Sequence, residues 1–435
     1  MNSWIQMPIG QFINFNPAES LKKGVVARKI SMDKLGTFQR KIVGFEYSLY
    51  SAGPKFRNDD TVVAKITPCL ENGKTAFVDV LDEDEVAFGS SEFIVLREND
   101  YSDAKFIYYL ARSPIFRERA ISCMEGTSGR KRVNEGALKR QEILVPRSKS
   151  EQRKISAVLS ALDDKIELNN QINTELEAMA KTLYDYWFVQ FDFPNADGKP
   201  YKSSGGKMVY NKVLKREIPE GWDFMTIGDL GNVVGGSTPS KGDDSNFCTN
   251  GTSWITPKDL SINSGKKFIT RGELDVSEKG LKEASLNILP KNSVLMSSRA
   301  PVGYLAINRK ECTTNQGFKS IVCDKGFPAE YVFYVLQHHM KTIEANATGS
   351  TFKEISGTVF KSINIIKPQQ KEIVKFVETV RPIFERQNNL ELQNQELAHL
   401  RDWLLPMLMN GQVTVGDVEE MGMVAEEQSE YNKSY

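Results

Sequence analysis

Four short segments in the second half of the chain carry side chains suited to reading a polar, anionic edge. They are Gly235-Gly236-Ser237-Thr238-Pro239-Ser240-Lys241, Trp254-Ile255-Thr256-Pro257-Lys258-Asp259-Leu260, Ser298-Arg299-Ala300-Pro301-Val302-Gly303 and Thr313-Thr314-Asn315-Gln316-Gly317. Their hydroxyls, amides and cations match base edges and phosphates: Arg suits guanine, Asn or Gln suits adenine, and Ser or Thr suits either. The candidates are Ser237, Thr238, Lys241, Trp254, Thr256, Lys258, Arg299, Asn315 and Gln316. Taken singly, each segment reads more readily as a turn than as a contact, and Thr256-Pro257 or Arg299-Ala300-Pro301 as a strand end.

The first half offers a different feature. Gly126-Thr127-Ser128-Gly129-Arg130-Lys131-Arg132 is a flexible basic loop, and it opens a stretch to Lys154 with nine basic and three acidic residues. Thr127, Ser128, Arg130, Lys131 and Arg132 suit phosphate contacts, with a solvated basic turn as the alternative. The counterpart in the second half, Gly349-Ser350-Thr351-Phe352-Lys353, keeps one cation, Lys353.

Residues for bond-making chemistry are sparse. The three histidines (His338, His339, His399) are too few for an imidazole metal cluster, and the adjacent pair reads as a surface pair on a helix. Gly205-Gly206-Lys207 imitates a phosphate loop, but Met208 stands where Ser or Thr would hold magnesium. There is no G-x-G-x-x-G after a strand, and no Asn/Asp-Pro-Pro-aromatic loop of an amino-methyltransferase. No acidic pair with a strand-borne lysine suggests a nuclease. We expect no catalytic residue and no metal site in this chain.

Composition sets the frame for these loops. The 435 residues include 56 basic and 56 acidic side chains, with 40% hydrophobic and 26% charged residues, the profile of a soluble globular protein. Neutrality argues against a polybasic tail-type binder but allows a basic face balanced elsewhere, as by Asp82-Glu83-Asp84-Glu85. The five cysteines (Cys69, Cys123, Cys248, Cys312, Cys323) form no C-x-x-C pair, which suits reduced thiols in a cytoplasm. No basic segment with a following apolar stretch marks a signal peptide, and no apolar run approaches the 18 or so residues of a membrane span. A cytoplasmic, non-membrane protein is expected.

At about 150 residues per domain, the length alone suggests about three domains. Internal repetition reduces this to two units. Trp4-(x4)-Ile9-Gly10 returns as Trp222-(x4)-Ile227-Gly228, a displacement of 218, and Gln152-Arg153-Lys154-Ile155 returns loosely as Gln370-Lys371-Glu372-Ile373 at the same displacement. Each copy reads as a mixed α/β globular part followed by a long helix. Strands are expected at Thr61–Ile66, Glu92–Leu96, Ser293–Met296 and Ser320–Val322, with helices at Phe106–Leu110 and Tyr331–Leu336.

The helical parts carry heptads. Position a reads Ile155, Leu162, Asn169, Leu176, Leu183 and then Ile373, Val380, Gln387, Asn394, Arg401; position d reads Val158, Lys165, Ile172, Met179, Tyr186 and then Phe376, Ile383, Leu390, Leu397, Leu404. A sustained 3.5-residue apolar period is a coiled-coil signal, against the alternative of two amphipathic helices packed on separate domains. Asn169 and Gln387 share an a position, where a buried amide fixes register. Pro382 should interrupt and kink the second helix. The helices should end at Phe193-Pro194 and at Pro406. The stretch after Asp417 is acidic and rich in Met, Glu and Ser, the composition of a disordered tail.

Taken together, these segments resemble the specificity subunit of type I restriction–modification systems (HsdS type). The resemblance covers nearly the whole chain. It rests on Gly235–Pro239 with Trp254-Ile255-Thr256, on Thr314-Asn315-Gln316-Gly317, on Glu151-Gln152-Arg153-Lys154-Ile155 opening a helix, and on Leu404-Leu405-Pro406-(x4)-Gly411-Gln412-Val413 closing the second. It implies two target-recognition domains, 1–150 and 219–368, with spacer helices 151–193 and 369–405, a linker 194–218 and a tail 406–435. The helices would pair antiparallel, placing the domains at opposite ends about a pseudo-twofold axis. A helix of some 36 residues is about 55 Å long, and half-sites about one DNA turn apart would then be within reach of separate domains.

By that resemblance the chain reads an asymmetric bipartite duplex target. It directs separate methylation subunits, expected as two copies, and restriction/translocase subunits. S-adenosylmethionine, ATP and magnesium would belong to those partners. The first unit lacks the Gly-Ser-Thr-Pro and Asn-Gln-Gly signatures, so its contacts stay open. The competing readings are a stand-alone methyltransferase or nuclease, and a coiled-coil adaptor that binds only protein.

Overall fold

The computed structural model describes residues 3–127, 129–299, 301–349 and 353–416; Ser128 and the acidic stretch from Asp417 lie outside the described residues. The chain divides into two compact units, Met1–Glu167 with Asn394–Tyr435, and Leu168–Gln393.

In the first unit, short apolar runs such as Thr61–Ala64 and Phe93–Arg97 are buried along almost their whole length, as central strands must be. They lie in a four-stranded sheet ordered Asn14–Phe15, Phe93–Arg97, Thr61–Ala64, Thr75–Phe77. A second sheet runs Glu46–Leu49, Val26–Ile30, Ala87–Gly89, Lys55–Phe56, with Val26–Ile30 and Ala87–Gly89 parallel. Helix Ala104–Arg112 begins where the Asp103 carboxylate accepts from Phe106 N–H at 3.2 Å, and it packs its apolar face on the first sheet's core. A ribbon of Trp4–Pro8 with Glu142–Pro146 leads to the first long helix, Lys149–Tyr184.

The second unit repeats the plan. One sheet runs Asn232–Gly235, Lys319–Val322, Val294–Ser298, Val302–Asn308, Phe268–Ile269, and the other Phe247–Cys248, Leu274–Val276, Thr252–Ile255, Cys312–Thr314. In this second sheet Thr252–Ile255 and Cys312–Thr314 form the parallel pair, matching the parallel pair of the first unit, and Phe268–Ile269 runs parallel to Val302–Asn308 in the other sheet. Helix Ala329–His338 takes the place of Ala104–Arg112, and the ribbon Asp223–Thr226 with Asn364–Lys367 leads to the second long helix, Gln370–Met409. The repeated glutamine works alike in both copies: Gln152 Nε2 donates to Tyr101 O at 2.8 Å, and Gln370 Nε2 to Gly326 O at 3.0 Å, tying each helix start to its own domain. Within 194–218, read from sequence as a linker, a hairpin pairs Met208–Asn211 with Arg216–Pro219, and Phe193 stacks on both Tyr201 and Trp222.

Segments of the two long helices pair antiparallel inside each unit. In the first, Asp163 meets Arg401 at 2.6 Å and the Ile166 carbonyl accepts from Asn394 at 3.4 Å, so numbering rises on one helix as it falls on the other. In the second, Gln387 Nε2 donates to Asn173 O at 3.3 Å, and Tyr184 meets Phe376 with ring centres 6.0 Å apart. Every a position of the second helix is buried, including Gln387, Asn394 and Arg401, and so is Asn169.

The heptad pattern needs correcting on the first helix. Lys165 is exposed and Met179 is 55% exposed, while Leu159, Ala180 and Trp187, each one residue beyond a d position, are buried. The seam is wider than the a and d rows because the helix also packs on a globular core, Leu159 on that of the first unit and Ala180 and Trp187 on that of the second. Pro382 does not break the second helix, which runs unbroken from Gln370 past Pro406 to Met409. Pro382 and Glu378, whose carbonyl loses its partner, both lie on the exposed face, where water can take the missing bond. The first helix ends before Phe193-Pro194, passing at Tyr184 into a π-turn, Asp185–Val189. No helix among the described residues is long and apolar enough to cross a membrane.

Candidate nucleic-acid interface

In the second unit the four segments meet. The parallel pair sets Trp254 opposite Thr313 and Ile255 opposite Thr314, so the turns after both strands leave the sheet side by side. The Gly235-to-Lys241 loop then crosses them. Ser237 N–H donates to Thr314 O at 3.0 Å, and Trp254 Nε1 donates to Ser237 O at 3.1 Å. The fourth segment joins where Ser298 N–H donates to Gly317 O at 2.7 Å.

These bonds enclose a cleft of about 530 Å³. Eight of the candidates line it: Thr238, Lys241, Trp254, Thr256, Lys258, Arg299, Asn315 and Gln316. Thr238 Oγ1 bonds Gln316 Oε1 across it. Trp254 is buried at 3% exposure, and the Lys241 ammonium lies 6.0 Å from its ring centre. Thr238, Lys241 and Gln316 are exposed at the surface and available to a ligand.

Several candidates have a structural duty. Thr256 caps helix Pro257–Ile262: its hydroxyl and N–H both bond the Asp259 carboxylate, at 2.6 and 2.7 Å. Lys258 pairs with Glu273 at 2.6 Å; that bond holds the lysine above and the glutamate below their usual pKa values. Arg299 lies 3.8 Å from Glu354. Asn315 Oδ1 accepts from Gly317 N–H at 2.9 Å, which shapes the turn and leaves its amide nitrogen to point elsewhere. Ser237 contributes through its backbone and does not line the cleft.

Lys353 is exposed beside the Thr348–Glu354 bridge that closes its loop, and it does not line the cleft. Pro257, Glu273, Leu274 and Asp259 complete the lining and are not among the contacts expected from sequence. The capping-box spacing Thr256-x-x-Asp259 could have found the last of these.

In the first unit the basic loop is the tip of a small hairpin, Met124–Glu125 with Arg132–Val133. Thr127, Arg130 and Lys131 are exposed on it, and among the described residues neither Arg130 nor Lys131 has a carboxylate partner. Arg132 instead makes a two-pronged bond to Glu92, Nε to Oε2 at 2.9 Å and Nη2 to Oε1 at 2.7 Å.

Comparison with known proteins follows the repeat. A family model described as the type I restriction modification DNA specificity domain matches residues 22–178 and again 219–394. The chain is 39% identical over 189 residues to the type I restriction enzyme MjaIX specificity subunit of Methanocaldococcus jannaschii, covering 42% of this chain and 43% of that protein, so this match spans under half of the relative. It is 28% identical over 408 residues to the HindI specificity subunit of Haemophilus influenzae, covering 82% of this chain and 87% of that one. Among solved structures, the S subunit of a type I restriction–modification system from M. genitalium shares the fold, with a TM-score of 0.54 at 15% identity over 93% of this chain and 96% of that one. The family model spans both repeats, the two units share the order of their central strands though not of their edges, and the chain belongs to the family of type I restriction–modification DNA specificity subunits.

Proposed function

We propose that this chain is the DNA-reading subunit of a type I restriction–modification complex, with one half of an asymmetric bipartite target read by each unit. The observation that carries this reading is the convergence of Thr238, Lys241, Arg299, Asn315 and Gln316, from segments far apart in sequence, on one cleft. Hydroxyl, amide and cation on a single concave surface form the set that discriminates base edges while neutralising phosphate. The two units differ in sequence, so their half-sites should differ.

In this reading the chain does no bond chemistry itself. Two methylation subunits and the restriction/translocase subunits supply it, and S-adenosylmethionine, ATP and magnesium belong to them. The absence of dinucleotide, phosphate-loop and Pro-Pro-aromatic motifs from the sequence supports that division of labour.

Mapping methylated bases in the genome of a host carrying the complete complex tests the reading. The expected result is a motif of two unlike halves around a fixed gap. Exchanging residues 219–368 for the same stretch of another family member should change one half only; a change in both, or in neither, would overturn the modular reading. Methyl transfer by the purified chain alone would overturn the non-catalytic assignment.

A further inference from the structure

The first unit has none of the sequence signatures that mark the cleft of the second, yet its backbone repeats the bonds that hold the turn after the second strand of the parallel pair. In the second unit Gly317 N–H donates to Asn315 Oδ1 at 2.9 Å; in the first, Glu92 N–H donates to Ser90 Oγ at 3.2 Å. Ser298 N–H to Gly317 O, 2.7 Å, corresponds to Lys65 N–H to Glu92 O, 2.9 Å. Ile355 N–H to Ser298 O, 3.1 Å, corresponds to Val133 N–H to Lys65 O, 2.9 Å. The isolated bridge of Arg299 with Glu354 corresponds to that of Ile66 with Arg132. Both turns leave the strand of the parallel pair in the same way, after Thr314 and after Gly89.

This correspondence sets Ser90 in the place of Asn315, Ser91 in the place of Gln316, and Arg132 in the place of Glu354. The charge has changed strands: the second unit has its arginine at 299 facing Glu354, and the first has its arginine at 132 facing Glu92.

The Arg132–Glu92 pair has a specific geometry. Glu92 engages Nε and Nη2, the side edge of the guanidinium. The end edge, Nη1 with the second proton of Nη2, has no partner among the described residues, and the arginine side chain is 50% exposed. That end edge is the fork that meets O6 and N7 of a guanine. A carboxylate behind the fork holds it in one orientation before a ligand arrives.

We infer that the turn Ser90-Ser91-Glu92 with Arg132 is the base-reading surface of the first unit, that Arg132 reads a guanine in its half-site, and that Glu92 is the positioning residue that aims it. The inference rests on the DNA-reading function proposed above.

The test uses the complete complex with its methylation subunits, carrying Arg132→Ala, Arg132→Lys, Ser91→Asn, Glu92→Ala or Glu92→Gln. Discrimination is measured base by base on duplexes bearing the native motif and its single-base variants. Arg132→Ala should lose about ten-fold or more of the preference for one guanine, in one half-site, with the other half unchanged. Arg132→Lys should not restore it, because an ammonium cannot form the fork. Glu92→Ala should weaken the same guanine preference, and Glu92→Gln, which keeps one acceptor oxygen, should weaken it less. Ser91→Asn, on an exposed side chain that leaves the fold intact, should alter preference at a base in the same half.

Gln316→Ala separates the two levels of the argument. If it alters the other half-site while Arg132→Ala and Ser91→Asn leave the native preference within about two-fold, this inference fails and the proposed function stands. If no variant in either unit alters any base, both fail.

Discussion

A Cβ built on Gly236 would fall 2.0 Å from the Thr314 carbonyl oxygen and 2.3 Å from that of Asn315. Only glycine lets the Gly-Ser-Thr-Pro loop lie against the Asn-Gln-Gly turn, and that contact brings Thr238 to Gln316. Gly236→Ala should therefore push the two recognition segments apart. We expect a cost of about 1–3 kcal/mol, as for other forced overpacking, and loss of selectivity for one half-site. Thermal unfolding of the chain and duplex binding by the complete complex check the two effects; a variant with native selectivity would show that the contact does not position the cleft.

Lys241 and Gln316 should fail in different ways. A lysine meeting phosphate adds affinity for any sequence, so Lys241→Ala should weaken binding uniformly and reduce the salt slope by about one ion. Gln316→Ala should leave the salt slope alone and relax selectivity at one base by roughly 1–3 kcal/mol. Titrations over a range of salt, on native and single-base-variant duplexes, distinguish them. Identical behaviour of the two variants would contradict this assignment of phosphate and base contacts.

Inside the first unit, Asp163 is buried and holds three groups: Arg401 at 2.6 Å, the Tyr109 hydroxyl at 2.8 Å, and Arg112 at 3.9 Å. Arg401→Met removes the closest countercharge and leaves a buried carboxylate short of partners. The expected loss is about 3–5 kcal/mol, read from the denaturant midpoint of the first unit's unfolding. Adding Asp163→Leu should recover part of that loss, since removing both charges is far cheaper than stranding one. A single variant as stable as the wild type would mean that the pair contributes nothing to the helix seam.

His339 should make the second unit acid-sensitive. It is part-buried at the end of helix Ala329–His338, and burial, together with the nearby His338 and Arg216, holds it down to about 4. In the unfolded chain its value is near 6.5. As pH falls through that interval the unfolded state takes up the proton first, so stability is lost between about 6.5 and 4, at most roughly 3 kcal/mol. His339→Gln should flatten this part of the stability–pH profile relative to the wild type. Parallel profiles would remove His339 as the cause.

The repeat was legible in the sequence because Trp4 and Trp222 each meet the segment that follows a long helix, at Gly411 and at Phe193, and Gln152 and Gln370 each tie a helix start to its own domain. The second cleft was legible because amides and hydroxyls on loops stand out from a β-rich background. Its first-unit counterpart was not. Ser90 and Ser91 are ordinary turn residues until the pairing of Ala87–Gly89 with Val26–Ile30, nearly sixty positions away, places them. Thr256 and Lys258 were read as ligand contacts, yet Asp259 and Glu273 already engage them, a competition that composition cannot rank. Pro382 differs from its sequence expectation for a similar reason: the cost of a helical proline depends on whether water reaches the orphaned carbonyl, and exposure is decided by tertiary packing.

The matched turns at Ser90 and Asn315 have a consequence for how such a protein acquires new targets. In each, one side-chain oxygen satisfies the turn, a task that asparagine performs at 2.9 Å and serine, more weakly, at 3.2 Å, while the next residue, Ser91 or Gln316, is exposed and makes no bond that the turn requires. The scaffold thus works as a socket with a fixed pin and an interchangeable tip. On the base-reading role proposed above, the set of readable bases widens by point substitution at the tip, while folding selects only at the pin.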